Sequence, residues 1–128
     1  MNHVLRSIFV LSFVTLAAVG SSVKSDAAGR TVYDGDWDVD IVTVHGDCQQ
    51  SLRYSVRIAE GKVQSNEPSY QLDGAVTSAG EIHVKVEEKG RSASGTGKLT
   101  HNAGRGQWHT STNECGGHWI AERRVSQN

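Results

Sequence analysis

The chain reads as all-β: a small eight-stranded antiparallel up-and-down β-barrel held by one disulfide. Three observations predict this. Apolar and polar residues alternate with a period of two through residues 33–125, with almost no helical periodicity. Seven turn signals ("HGD", "AEGK", "NEPS", "SAGE", "EKGR", "NAGR" and "ECGG") divide that stretch into eight short segments. All three tryptophans occur as Gly-x-Trp, at 35–37, 106–108 and 117–119, so the first and last segments share a signature. Short strands must hide their edges, and matching ends favour closing the sheet on itself over stacking it as a sandwich.

The elements follow in order. Residues 1–20 stand apart from the barrel: Arg6 precedes the apolar run "SIFVLSFVTLAAVG", which is too short to span a bilayer and has the order of a secretory signal. Ala18 and Gly20 meet the small-residue requirement for cleavage after Gly20, with a cut near Ala28 as the alternative. Residues 21–32 are small and polar and read as a flexible lead-in. The barrel domain is expected over 33–125, with strands near 35–44, 51–59, 62–66, 70–78, 81–89, 91–101, 105–112 and 117–125. In "LRYSVRIA" the dry face is Leu52, Tyr54, Val56 and Ile58; in "EIHVKVEE" it is Ile82, Val84 and Val86. Pro68 falls in a turn, where its missing N–H does no harm. Ala93, Gly95, Gly97 and Leu99 make one side of the sixth segment small, leaving room for indoles from across the barrel. With Trp37, Trp108 and Trp119 inside, the interior is expected to be mostly filled.

The first segment, "YDGDWDVDIVTV", sets Asp34, Asp36, Asp38 and Asp40 at every second position. A calcium loop of EF-hand type needs a glycine at its sixth position, and β-branched Val39 or Ile41 stands there instead. Charge pairing with the next strand is the simpler account. A tight hairpin through "HGDCQQ" sets Asp38 opposite Arg57, Asp40 opposite Ser55 and Val42 opposite Arg53. The same register packs Trp37, Val39, Ile41 and Thr43 against Ile58, Val56, Tyr54 and Leu52. Asp38 and Arg57 are thereby expected as a surface ion pair.

The last segment, "WIAERRV", places Arg123 on the same face as Trp119 and Ala121, so its guanidinium is expected to stack on Trp37 at one end of the barrel. Cys48 and Cys115 allow one pairing. In an exported chain it would close a loop of nearly seventy residues and stabilise the fold by about 4 kcal/mol, a large share for so small a core.

Charge and motif content exclude several functions. A net charge of −1 gives no basic footprint for nucleic acid. No second apolar run is long enough for a membrane span in the mature chain. The sequence holds no G-x-S-x-G elbow and no H-E-x-x-H pair, and "SASGTGKL" lacks the first P-loop glycine and the final Ser/Thr. His83, His109 and His118 alternate with inward residues and so face water, and His101 falls at a turn. No cofactor, metal or catalytic group is expected, and the chain does not read as an enzyme.

Residues 33–124 resemble a family of small exported bacterial proteins labelled as exoproteins involved in haem utilisation or adhesion. The resemblance rests on the "YDGxW" start, the single Cys in each half, and the "CxGxWxAERR" end. The chain departs from that pattern at Asp36, Asp38 and Asp40, where small or uncharged polar residues are more usual. In shape, Gly-x-Trp on the first strand with Arg on the last is similar to lipocalin and avidin barrels. It is also similar to the small periplasmic inhibitors of secreted metalloproteases, which carry a flexible N-terminal trunk. Together these imply a periplasmic or secreted non-catalytic module with a binding, envelope or adhesion role and a protein or small-ligand partner. The alternatives are a haem or small-ligand binder, and a protease inhibitor working through residues 21–32.

Overall fold

The computed structural model describes Gly20 and residues 30–125. The expected signal at 1–20 and most of the lead-in at 21–32 therefore lie outside the described residues. Eight strands form one closed antiparallel barrel in sequence order, with no helix among the described residues. They are β1 (Gly35–His45), β2 (Ser51–Ala59), β3 (Lys62–Ser65), β4 (Gln71–Val76), β5 (Glu81–Glu88), β6 (Arg91–Leu99), β7 (Ala103–Thr110) and β8 (Gly116–Arg123). β8 returns to pair with β1, from Trp37–Arg123 to His45–Gly116, with a bulge between Thr43 and His45.

Turn chemistry sets the short connections. Glu60–Gly61 (φ 52° and 75°) and Lys89–Gly90 (φ 49° and 76°) have positive φ at both central positions. That is the twist a two-residue hairpin needs, and glycine at the second position removes its steric cost.

The interior is unequal along its length. At one end, the base, Trp37, Ile58, Val63, Val76, Ile82, Leu99, Trp119 and Ala121 are buried, with Tyr33 lying across them. Towards the other end, the mouth, the inward residues Ile41, Tyr54, Leu72 and Trp108 are only half buried. Trp119 is 7% exposed and lies against the glycines of β6 and β7. A Cβ on Gly106 would stand 2.6 Å from its ring, and Gly97 is crowded by the same indole. The small side of "SASGTGKL" is therefore the seat of this one indole, which also donates to the Thr96 carbonyl at 3.2 Å.

Two expectations need correction. The β1–β2 register is shifted by two residues from the tight-hairpin reading: Asp36 faces Arg57, Asp38 faces Ser55 and Asp40 faces Arg53. The expected Asp38–Arg57 pair is therefore not formed. A two-residue shift keeps every side chain on its face, so the same residues stay inside while their partners change. The connection is wider than a tight hairpin: Thr43 bonds the Gln50 carbonyl through its N–H at 2.9 Å and the Gln49 carbonyl through its hydroxyl at 2.7 Å. This register gives both arginines a carboxylate, whereas the tight one leaves Arg53 opposite Val42. The lead-in also ends earlier than expected. Thr31 donates to Asp34 at 2.6 Å, and the Arg123 guanidinium donates to the carbonyls of Val32 and Asp34, so residues 31 and 32 belong to the barrel's base.

Candidate functional site

Trp37, Trp119, Arg123, Asp38, Arg57 and the two cysteines, all singled out from sequence, gather on one wall, β8–β1–β2, whereas Trp108 stands on β7. Cys48 and Cys115 are bonded at 2.04 Å, tying the β1–β2 connection to the start of β8 at the mouth rim. Trp37 is 1% exposed and donates to the Tyr33 carbonyl at 2.9 Å, with the Arg123 guanidinium 5.0 Å from its ring centroid. Arg123 also donates through Nε to the His101 carbonyl at 3.0 Å. Gly35, at φ 138°, adopts a backbone that favours glycine, and a Cβ there would stand 3.3 Å from Arg123 Nη1. Trp108 sits near the mouth and donates to the Val42 carbonyl at 3.0 Å. His83, His109 and His118 are exposed on the outer face, and His101 is exposed in the β6–β7 turn.

Each aspartate of the opening run has its own partner. Asp34 accepts from the Glu60 and Gly61 N–H groups, at 2.8 and 3.2 Å, and so fastens the β2–β3 turn. Partial burial pushes its carboxyl up. The hydrogen bonds from Thr31, Glu60 and Gly61 outweigh that and hold it below its ordinary value. Asp36 pairs with Arg57 at 3.3 Å, and Asp40 with Arg53 at 2.9 Å. Asp38 takes Arg124 at 2.7 Å, and the hydrogen bonds from that guanidinium hold its carboxyl low. Arg124 lies just past the end of β8, and the register expected from sequence covered only β1 against β2. Among the described residues no group of three His, Cys, Asp or Glu side chains is placed to hold a metal ion.

The opposite wall is built differently. β3 and β4 are paired only through Lys62–Ala75 and Val63–Gly74. Beyond Val63 the chain turns away because the Ser65 hydroxyl accepts the Glu67 N–H at 3.0 Å, a local bond that competes with the ladder, and Pro68 follows. Tyr70 then fills the space behind the gap. Its hydroxyl donates to the Ser55 carbonyl at 2.8 Å, and its ring meets Tyr54 edge-on at 4.9 Å. The Tyr54 hydroxyl donates to Glu88 at 3.3 Å; burial first, then the Glu88 charge, pushes the phenol up to about 12.

Two open grooves lie on this wall. One, of about 530 Å³, is lined by Gln64, Ser65, Leu72, Asp73 and Lys85. The other, of about 430 Å³, runs from Pro68 and Ser69 to the β5–β6 hairpin at Glu88 and Arg91. Tyr70, Gln71 and Glu87 line both, so the grooves are continuous. Sequence reading missed this region. One signal was present: Glu88 continues the inward series Ile82, Val84, Val86, so a carboxylate stands where an apolar residue is due.

No known family model matches this chain, and no curated protein matches it. The disulfide fits an extracellular or periplasmic protein, and among the described residues no helix is long and apolar enough to cross a membrane.

Proposed function

We propose that this chain is an exported, non-catalytic binding module whose binding face is the split β3–β4 wall and the adjoining mouth rim. The observation that carries the reading is the convergence of both grooves on Tyr70, Gln71 and Glu87 while the base is filled with side chains. Both grooves therefore put concave surface of mixed polarity on this side of the barrel, outside its packed interior. Export is supported by the leader-like run at 1–20, by the disulfide, and by the resemblance to small exported proteins labelled for haem utilisation or adhesion.

The test is protein-observed NMR on the 15N-labelled protein against a panel of short peptides, oligosaccharides, acyl lipids and haemin. Ligands that bind are expected to shift the amides of residues 64–73 and 85–92. Shifts confined to β8–β1–β2, or turnover abolished by a single substitution, would overturn the reading. A second reading, capture of a small apolar ligand at the mouth, is favoured by the two half-buried aromatics Tyr54 and Trp108. It predicts a Soret shift with haemin at micromolar protein, or quenching of Trp108 by another apolar ligand; neither effect appearing counts against it.

A further inference from the structure

We propose that His45, His109 and His118 form a binding site for a divalent transition-metal ion on the outer face of the barrel, where β1, β8 and β7 run side by side at the mouth rim. The site lies away from the grooves and does not depend on the reading of the split wall.

Register carries the proposal. His45 and His109 both stand opposite Gly116, one on each side of β8, and His118 follows Gly116 by two residues on the same outward face. All three histidines are exposed, so their ring nitrogens are open to solvent. The bulge between Thr43 and His45 turns the His45 side chain outward, where strict alternation from Thr43 would have turned it inside. Its ring then lies over Gly116: a Cβ on that glycine would stand 2.5 Å from His45 Cε1 and 3.1 Å from Nε2. Gly116 is not among the glycines with positive φ, so space and not backbone conformation calls for it, and the His45 ring is the nearest occupant of that space.

The His45 imidazole thus takes the place that a side chain at 116 would fill. From that place His109 is the directly opposed residue. Thr110 donates its N–H to the Cys115 carbonyl at 2.9 Å, so the next pair, His109 with Gly116, is of the narrow kind, about 4.5 Å between Cα atoms. His118 stands about 7 Å further along the same strand. His109 and His118 are diagonal neighbours across the β7–β8 ladder, within reach of each other's rings. As the rings stand, no three His, Cys, Asp or Glu side chains among the described residues are set to hold an ion. Closing the site takes rotation of exposed imidazoles, a motion of nanoseconds or less, and no movement of the barrel.

The donor set selects the ion. Imidazole suits zinc, copper and nickel, whereas calcium and magnesium take oxygen ligands. An ion held there joins β1 to β7 across β8, beside the disulfide on the closing seam.

The experiment titrates the exported chain, carrying no affinity tag, with zinc chloride by isothermal titration calorimetry. One zinc per chain is expected at micromolar concentration, with a higher melting temperature and no heat from calcium or magnesium. His45→Ala, His109→Ala and His118→Ala are each expected to weaken zinc about tenfold or more, while His83→Ala and His101→Ala leave it unchanged. Gly116→Ala keeps all three imidazoles but displaces the His45 ring, and is expected to weaken zinc by several fold. Imidazole 15N spectra should show zinc moving the ring nitrogens of these three histidines alone. Unchanged affinity in any one of the three alanine variants would overturn the three-ligand site. So would the lack of saturable binding below millimolar zinc. Equal heats from calcium would place the ion on the aspartates of β1 and overturn the histidine site.

Discussion

The two sides of this barrel are held by different means. On β8–β1–β2, a continuous ladder, the Asp36–Arg57, Asp40–Arg53 and Asp38–Arg124 pairs, the Arg123–Trp37 stack and the disulfide all act together. On β3–β4, two register pairs and the Tyr70 hydroxyl do the work. Chain connectivity explains the contrast. Joining β8 to β1 brings together partners such as Arg124 and Asp38, 86 positions apart, whereas β3 and β4 are joined through residues 66–70. The longer closure costs about 2–3 kcal/mol more in loop entropy, so the closing seam needs its reinforcement where β3–β4 does not. Slack on the short-loop side leaves a concave, unpaired surface without endangering the fold.

Breaking the reinforced wall is the severest test. Trp37→Ala removes the largest fully buried side chain and the seat of Arg123; it should lower stability by about 3–5 kcal/mol in urea unfolding, most of what a domain this size has. A loss below about 1 kcal/mol would mean that the base is not the core. Replacing Cys48 and Cys115 together by serine should cost about 4 kcal/mol on the loop-entropy account, given the separation of 67. Hydrogen exchange should then quicken first at the rim formed by the β1–β2 and β7–β8 connections.

A smaller effect is expected on the split wall. Tyr70→Phe removes one bond to the Ser55 carbonyl and should cost about 1 kcal/mol. Exchange should rise at residues 64–73 while the β1–β8 amides stay protected. Equal quickening on both sides would erase the distinction between the walls.

The pH dependence should separate the base from the mouth most finely. Asp34 and Asp38, both on the reinforced wall, are held below their ordinary value of 3.8. Their contribution is therefore present above that pH and lost as pH falls through the depressed values, when the folded state must take up the protons. Tyr54 at the mouth is raised from 10.0 to about 12, so its contribution is present below pH 10 and lost as pH rises towards 12. Denaturant midpoints across pH should show both limbs. Tyr54→Phe should reduce the alkaline limb alone, leaving the part that Tyr70, also pushed up by burial, contributes, and Asp34→Asn should reduce the acid limb alone.

Much of the reinforced wall was legible in the sequence. Trp37 and Arg123 share an inward face by alternation, and two cysteines admit one bond. The split wall was much less so. "KVQSNEPSY" announces a turn, but the Ser65–Glu67 bond that bends β3 away involves three residues of ordinary loop composition. The Asp38–Arg57 expectation went astray for a related reason: facing was right and register wrong, since the connection at Gln49 and Gln50 sets the offset.

From its own order of residues the chain determined what is local: strand against turn, and which side of each strand is dry. A period of two is written along a single segment and needs no partner to be read. Only the folded arrangement decided which residue stands opposite which, that Arg124 and not Arg57 reaches Asp38, and where the ring of strands gapes. Those outcomes depend on how distant segments and their connections fit together, and burial of the same side chains is compatible with more than one such fit.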